Sequence, residues 1–244
     1  MTVVVIGASA GLGRALSTQL AADGHDLILL ATDIRDLAPL CAHLALTNGI
    51  SACSIAVDAS DPNQLAAMLQ TEFEKTDSLT AVFAPIGVAF SGDEVTLSTE
   101  KILALLNINL LSVMTAIQTA LPYLKKQKAA RIVGFGSIAT IRGRGRNIAY
   151  SAAKRGLASY FESLRHALVG YPIVVQFYQL GYVKTQQLHG QQTALPSISP
   201  EKAAMIILAD ENCDFGERYL PTFWKIVAMI LKILPWAIFS RSKF

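Results

Sequence analysis

The chain is poor in the residues that build metal centres and disulfide frameworks. Its 244 residues include three cysteines and four histidines. Cys41, Cys53 and Cys213 stand far apart without C-x-x-C spacing, and the histidines form no H-E-x-x-H or comparable cluster. The sequence therefore predicts no metal site, and the thiols are expected to fill apolar space in a reducing compartment.

Charge is scarce as well. Charged residues make up 16% of the chain, and the net charge is +3. No basic stripe or long run of one sign is present, whereas nucleic-acid-binding proteins need such a patch to attract phosphates, so no nucleic-acid partner is expected. The first residues form an apolar run without the basic region and apolar core of a signal peptide, which predicts residence in the cytoplasm.

The sequence does contain an alternation of β-branched runs and helical patterns. Strands are expected over residues 3–6, 26–31, 52–57, 79–84, 131–135 and 173–178, and helices near residues 34–48, 62–75, 99–127 and 148–169. This alternation predicts a single α/β domain, a Rossmann-like doubly wound parallel sheet with helices on both faces. Its ligand crevice should lie at the carboxyl ends of the strands.

A glycine-rich turn joins the first strand to the first helical pattern. Gly7, Gly11 and Gly13 are separated here by Ser9 and Leu12 among other residues. Glycine lets the backbone approach a pyrophosphate, and a helix N-terminus offers free N–H groups and a positive dipole end to the anion. The turn predicts a dinucleotide site; a tight strand-to-helix connection without a ligand is the alternative.

Tyr150 and Lys154 stand four residues apart on a predicted helix, so their side chains share one face with Cβ atoms about 5 to 6 Å apart. A nearby cation favours a phenolate, which moves the tyrosine pKa from about 10 toward neutral pH. Ser137 lies thirteen residues upstream of Tyr150, just beyond the predicted fifth strand. This set favours proton-transfer chemistry, although an ordinary helix-surface pair has the same spacing.

Together these patterns resemble the short-chain dehydrogenase/reductase family over almost the whole chain. The turn has that family's G-x-x-x-G-x-G spacing, and the segment from Tyr150 to Lys154 is similar to its Y-S-A-x-K signature. Asn109 resembles the family's helix asparagine. The resemblance implies a catalytic tetrad of Asn109, Ser137, Tyr150 and Lys154.

The resemblance also implies hydride transfer between a nicotinamide cofactor and a small alcohol or carbonyl compound. Tyr150 would exchange the proton, Lys154 would lower the tyrosine pKa and bind the nicotinamide ribose, and Ser137 would polarise the substrate oxygen. Asn109 would hold a water that relays protons through Lys154. The alternatives are a strand-end turn cap for Ser137 and a helix-interior amide bonded to backbone for Asn109.

Three further residues are implied near the nicotinamide, and several positions depart from the family pattern. Gly181, Val183 and Thr185 lie in a segment similar to the family's P-G-x-x-x-T, with leucine in place of proline. The usual N-N-A-G after the fourth strand is replaced by A-P-I-G, and Ile6 stands where threonine is common. These departures keep open a catalytically weak, NADP-binding regulatory or scaffold protein of the same fold. A homodimer or homotetramer is expected.

The cofactor preference depends on the end of the second strand. An acidic residue there would bind the ribose 2′-hydroxyl of NAD, but Ala31 occupies the position. Ala31, the Thr32 hydroxyl and Arg35 favour NADP, whereas Asp33 favours NAD. Asp58 resembles the family's adenine-contacting aspartate, and a helix N-cap is its alternative role.

The C-terminal segment forms the last distinctive feature, and the chain divides into a catalytic body, 1–220, and a tail, 221–244. The tail is apolar except for Lys225 and Lys232, and Arg241 and Lys243 follow. Its helix is too short to span a bilayer, which takes about 20 residues. We expect it to lie in a membrane interface, on the cytoplasmic face, and a lipid-like or lipid-linked substrate would then suit. A tail packed on its own subunit or in a dimer contact is the alternative.

Overall fold

The computed structural model describes residues 1–185 and 195–241. The strands are β1 (Thr2–Ile6), β2 (Asp26–Ala31), β3 (Ala52–Ala56), β4 (Leu79–Ala84), β5 (Ala130–Ser137), β6 (Ile173–Leu180) and β7 (Glu217–Leu220). The helices are α1 (Gly11–Ala22), α2 (Ile34–Asn48), α3 (Pro62–Phe73), α4 (Thr99–Leu106), α5 (Ser112–Leu124), α6 (Ile148–Ala167), α7 (Pro200–Ala209), α8 (Trp224–Ile233) and α9 (Trp236–Phe239).

All seven strands form one parallel sheet in the order β3-β2-β1-β4-β5-β6-β7. The chain winds outward from β1 in one direction and from β4 in the other, so the crossovers diverge between these two strands. A crevice opens at such a switch point, outside the carboxyl ends of the strands. The predicted Rossmann-like fold is confirmed.

Two apolar layers hold the helices against the sheet. Because side chains alternate along a strand, Val4 and Ile6 of β1 face one side while Val3 and Val5 face the other. Helices α3, α5 and α6 cover the first side, and α1, α2 and α7 cover the second. Burial on both faces explains why the strands are continuously apolar.

The helix predicted over residues 99–127 is interrupted in the middle. Its two parts, α4 and α5, are joined by a π-helical turn, Asn107–Leu111, which contains the buried Asn109. Within the described residues, Thr99–Leu124 is also the one helix long and apolar enough by composition to cross a membrane, and 33% of its most apolar window is buried. Core helices of soluble proteins pass the same test, and α5 packs on α3 and β4.

The tail packs on the body. Trp224 at the start of α8 is 3% exposed and lies in a small apolar cluster with Ile138 and Tyr219. A Cβ at Gly181 would collide with the Trp224 indole, so this glycine provides the space for the tail. The sequence predicts that the loop 186–199 covers the substrate; its first part, 186–194, lies outside the described residues, as do Lys243 and the rest of 242–244.

Glycine at position 134 allows α6 to approach the sheet. Gly134 lies in β5, and an added Cβ would overlap the Phe161 ring of α6. We expect Gly134→Ala to lower the free energy of unfolding by about 1 to 3 kcal/mol through overpacking, measured by urea denaturation. Gly216→Ala is the control, because its Cβ would meet Arg165 atoms only at 3.7 Å or more. Equal stability of the two variants would contradict this account.

Candidate active site

A cleft of about 700 Å³ opens at the carboxyl ends of the central strands. It brings together most of the residues that the sequence singled out: Gly7, Ser9, Gly11, Leu12, Gly13, Thr32, Ser137, Tyr150, Lys154, Gly181, Val183 and Thr185. Asn109 and Asp58 are not part of its lining. Residues more than 170 positions apart in sequence thus form one cavity wall.

The glycine turn is shaped to accept an anion. Gly7 has a φ of +89° and Gly11 a φ of +51°, conformations that favour glycine. A Cβ on Gly7 would lie 2.9 Å from the Ile86 Cα, and one on Gly13 would overlap the Gly7 carbonyl. No side chain caps the N-terminus of α1, and its first turn has no acidic residue. Its N–H groups and positive dipole end therefore fit the pyrophosphate of a dinucleotide.

Lys154 is buried beneath this cleft, and no carboxylate of residues 1–185 or 195–241 pairs with it. Its Nζ donates to the carbonyl oxygens of Ile86 at 3.0 Å and Phe135 at 3.1 Å. Burial disfavours the charged form and lowers the pKa of Lys154 to about 8. An ammonium has three N–H donors, so one remains to bind a ribose hydroxyl or a water in the cleft.

The Tyr150 hydroxyl is subject to opposing influences. Burial raises its pKa, while a hydrogen bond with the Ser137 side chain and the positive charge of Arg144 lower it. Arg144 is thus a cation that acts on the phenol in this structure, and the effect of Lys154 on Tyr150 that the spacing suggested stays a prediction.

Ser137 caps a turn at the end of β5 and also lines the cleft. It ends β5, and its Oγ accepts a hydrogen bond from the Ala139 N–H at 3.2 Å. Thr140 Oγ1 donates to the Ser137 carbonyl at 2.7 Å and closes the same turn. The Ser137 hydroxyl is thus fixed beside the Tyr150 phenol. The residue lies at the predicted position in the site and also caps the turn, as the alternative expected.

Asn109 is fully buried, and its amide is saturated by backbone groups. Its Oδ1 accepts from the Val88 N–H at 3.1 Å, and its Nδ2 donates to the carbonyls of Val88 at 2.9 Å and Leu105 at 3.0 Å. The side chain therefore ties the π turn to the loop after β4. Glycine at position 87 leaves room for this contact, since a Cβ added there would lie 3.1 Å from Asn109 Oδ1 and 3.2 Å from Lys154 Nζ.

Asp93 is a site residue that the sequence analysis missed. The carboxylate is 2% exposed and accepts from the N–H groups of Ala149 and Tyr150, both at 2.9 Å. The residue before α6, Asn147, has a φ of +62° and provides no side-chain cap. Asp93 caps the catalytic helix from 56 residues away, a distance at which no local spacing rule indicates the contact.

At the expected 2′-phosphate site, Ala31 and Thr32 line the cleft. Asp33 instead caps α2, where its carboxylate accepts from the Arg35 backbone N–H at 2.8 Å and from the Arg35 guanidinium. These bonds lower the pKa of Asp33 to about 2. The acidic residue is thus engaged with Arg35, and the exposed ion pair is weak enough for the guanidinium to turn to a phosphate.

Asp58 lies beside the cleft, between the lining residues Val57 and Ala59. Its carboxylate accepts from the Ser60 N–H at 2.9 Å. The alternative role as the cap of the next helix is wrong, because Asp61 is the N-cap of α3 and accepts from two N–H groups there. The adenine contact of Asp58 stays a prediction.

Comparison with known proteins gives one family. A family model described as short chain dehydrogenase matches residues 1–195. The ketoacyl reductase HetN of a Nostoc species is 29% identical over 75% of this chain and 63% of HetN, less than two thirds of that relative. An uncharacterized oxidoreductase of Myxococcus xanthus is 25% identical over 99% of this chain and 95% of its own.

A solved short-chain dehydrogenase from Sphingobium yanoikuyae, in complex with NADPH, has the same fold. The TM-score is 0.82 at 22% sequence identity, and the superposition covers 99% of this chain and 96% of that one. The family model spans most of the chain and includes the glycine turn, Ser137, Tyr150 and Lys154. On this evidence the chain belongs to the short chain dehydrogenase family of oxidoreductases.

Proposed function

We propose that the protein is an NADP-dependent oxidoreductase that interconverts an alcohol and a carbonyl compound by hydride transfer. The observation behind this proposal is the single cleft that holds an anion-binding glycine turn at one end and the Ser137 and Tyr150 hydroxyls at the other. The uncapped α1 N-terminus would hold the pyrophosphate, and the Lys154 ammonium would hold the nicotinamide ribose. A bound nicotinamide supplies or accepts the hydride.

The chain's own residues handle the proton. In the reducing direction, Tyr150 donates its hydroxyl proton to the substrate oxygen as the carbonyl carbon becomes an alcohol, and in the reverse direction it accepts that proton. Ser137 orients the same oxygen through a hydrogen bond. Burial raises the pKa of Tyr150, and in the empty site the hydrogen bond with Ser137 and the positive charge of Arg144 oppose that rise.

The regulatory or scaffold alternative needs the cofactor site but not the hydroxyl pair. The departures from the family pattern at Ile6 and after β4 leave Lys154 in place, because the Ile86 carbonyl itself accepts a hydrogen bond from Lys154 Nζ. Buried charge is costly to maintain, and the buried Lys154 is understandable as part of a working site. We therefore favour the enzyme.

We expect Tyr150→Phe to lower turnover by about 10² or more while NADPH affinity stays within about twofold, because only the transferable proton is removed. Turnover of a carbonyl panel and NADPH titration are the measurements. Tyr160→Phe is the matched control: it lies on the same helix, but its hydroxyl bonds Gln118 at 3.3 Å, away from the cleft. Unchanged turnover in Tyr150→Phe would remove this residue from the mechanism.

The NADP preference rests on the open end of β2. Ala31 leaves room for a 2′-phosphate, and the carboxylate of Asp33 is occupied by the cap of α2 and by Arg35. Arg35 is exposed and close enough in sequence to pair with the phosphate instead. The NADPH in the Sphingobium yanoikuyae neighbour supports the same preference.

NADPH should bind at least tenfold more tightly than NADH, and Ala31→Asp should reverse that order because a carboxylate repels the 2′-phosphate and binds the 2′-hydroxyl. Fluorescence titration of both cofactors measures this. Ala42→Asp adds the same charge on an exposed position of α2 and should leave the order unchanged. Equal affinities of the parent protein for NADPH and NADH would refute the preference.

We further propose that the tail attaches the protein peripherally to the cytoplasmic face of a membrane, where it meets a lipid-like substrate. Helix α8 buries Trp224 and Ala228 and exposes Ile226, Met229, Ile230 and Ile233 outward, and Trp236 at the start of α9 is exposed as well. Lys225, Lys232 and Arg241 are exposed in the same segment and complement anionic headgroups. This amphipathic pattern suits an interface.

The position of α8 supports the substrate class. Trp224 packs edge-on against Tyr182, with ring centroids 5.2 Å apart, and Tyr182 lines the cleft. The helix proposed to contact lipid is therefore one side chain away from the substrate end of the site. An apolar carbonyl compound would have a short path from the bilayer to Tyr150.

Replacing Ile230 and Ile233 together by serine should reduce binding to anionic vesicles at least tenfold, because burial of each isoleucine contributes about 1.5 to 3 kcal/mol. Co-sedimentation with phosphatidylglycerol vesicles is the measurement. Leu46→Ser with Val95→Ser is the control, since both residues are exposed elsewhere. Equal sedimentation of the two double variants would contradict the membrane role. So would a concentration-dependent dimer lost only in the tail variant, which would assign this face to a second copy.

Assembly as a homodimer or homotetramer is also proposed. Two features support it: the long α4–α5 helix is apolar yet only partly buried in one subunit, and within the part of the chain that the structure describes β7 pairs with β6 alone. Open strand edges and apolar helix faces are surfaces that oligomers cover.

A further inference from the structure

Arg144 places a fixed positive charge at the substrate end of the cleft. It lies between β5 and α6 and lines the cavity with Tyr150 and Tyr182. Its Nε and Nη2 donate to the Ala139 carbonyl at 3.2 and 3.1 Å, which anchors the guanidinium. Burial lowers the pKa of Arg144, but an arginine begins so far above neutral pH that it stays charged.

The described part of the chain provides this cation with no counter-charge. Among the described residues, the ion pairs involve five other basic residues, and Arg144 is in none of them. The undescribed loop, 186–194, has no Asp or Glu in its sequence and so has no carboxylate to offer. A partly buried charge without a partner is unfavourable, and an anion brought by a ligand would offset that cost.

One edge of the guanidinium is available for such an anion. Nη1 has no hydrogen-bond partner among residues 1–185 and 195–241, and Nη2 uses one of its two N–H groups for Ala139. The outer edge formed by these two nitrogens matches a planar group with two oxygens, which arginine binds with paired hydrogen bonds. A carboxylate has that shape.

We propose that Arg144 binds a carboxylate of the substrate next to the carbonyl that Tyr150 protonates, so that the protein acts on oxo acids and the corresponding hydroxy acids. This inference rests on the proposed function and names the substrate class of the same site. An apolar chain on the acid would extend along Tyr182 toward α8, which keeps the substrate amphiphilic and compatible with an interface.

Carboxylate binding would also prepare Tyr150 for reduction. Burial raises the pKa of Tyr150, and in the empty site the positive charge of Arg144 partly opposes that rise. A carboxylate paired with Arg144 neutralises that charge, so Tyr150 holds its proton until the carbonyl oxygen becomes negative. The bound acid therefore favours the protonated phenol that reduction requires.

The test compares acids with their uncharged esters. Straight-chain 2-, 3- and 4-oxo acids and their methyl esters are assayed with NADPH, and the ratio of kcat/KM for acid over ester is determined. Arg144→Gln should lower that ratio about 10- to 100-fold, mainly through KM, since hydrogen bonds to a charged group are lost. Arg146→Gln is the matched control, because Arg146 is exposed two residues away and outside the cleft lining. The control should keep the parent ratio.

Two outcomes would overturn the inference. One is an equal fall for acids and esters in Arg144→Gln, which would mean that the cation acts on Tyr150 or on the fold; the other is an unchanged ratio. Calorimetric titration of octanoate into the NADP-loaded protein separates this inference from the proposed function. Octanoate binding that weakens at least tenfold in Arg144→Gln but not in Arg146→Gln supports the carboxylate site even if no carbonyl is reduced, and equal binding in both refutes it.

Discussion

The site depends on one buried cation, Lys154, held by two strand-end carbonyls. The oxygens of Ile86 and Phe135 come from the segment after β4 and from β5, so the ammonium joins two adjacent strand ends to α6. Hydrogen bonds from a charged donor are shorter and stronger than those from a neutral donor, so they hold these carbonyls firmly in position. Burial lowers the pKa of Lys154 to about 8, and because no carboxylate of the described residues pairs with it, its charge remains available to a ligand.

The helix that provides Tyr150 and Lys154 is fixed at its start and along its length by residues distant in sequence. At its start the Asp93 carboxylate accepts two backbone N–H groups, and along its length Phe161 occupies the space above Gly134. Asn109 fixes the loop on the opposite side of Lys154 through Val88. A hydroxyl must be held within a few tenths of an ångström to transfer a proton well, and these supports provide that precision.

The same packing connects the site to the tail. Arg142 donates to the carbonyls of Leu231 and Leu234 at the end of α8, and its guanidinium lies 4.1 Å from the Phe239 ring centroid. Arg142 and Arg144 belong to one short loop, so one arginine holds the tail while the next faces the cleft. The tail and the cleft are thus joined through a common segment.

Much of this protein was determined by the sequence alone. The β-branched runs and helical periodicities predicted the parallel sheet, because burial on both faces demands continuous apolar strands, and glycine at positions 7, 11 and 13 predicted the anion turn, because other residues cannot adopt or fit it. Helical spacing placed Tyr150 and Lys154 on one face. The short strand β7 and helix α7 escaped prediction, since four residues of strand give too weak a periodicity.

Only the tertiary structure decided which groups act on each other. It brought the charge of Arg144 to oppose the effect of burial on the pKa of Tyr150, engaged the Asn109 amide with backbone, and brought Asp93 to the start of α6. It also divided the apolar tail into a buried and an exposed face. These outcomes depend on burial and on distances between segments far apart in sequence. Local sequence patterns indicate neither, because they predict which secondary structure a segment can form and not which other segments it will contact.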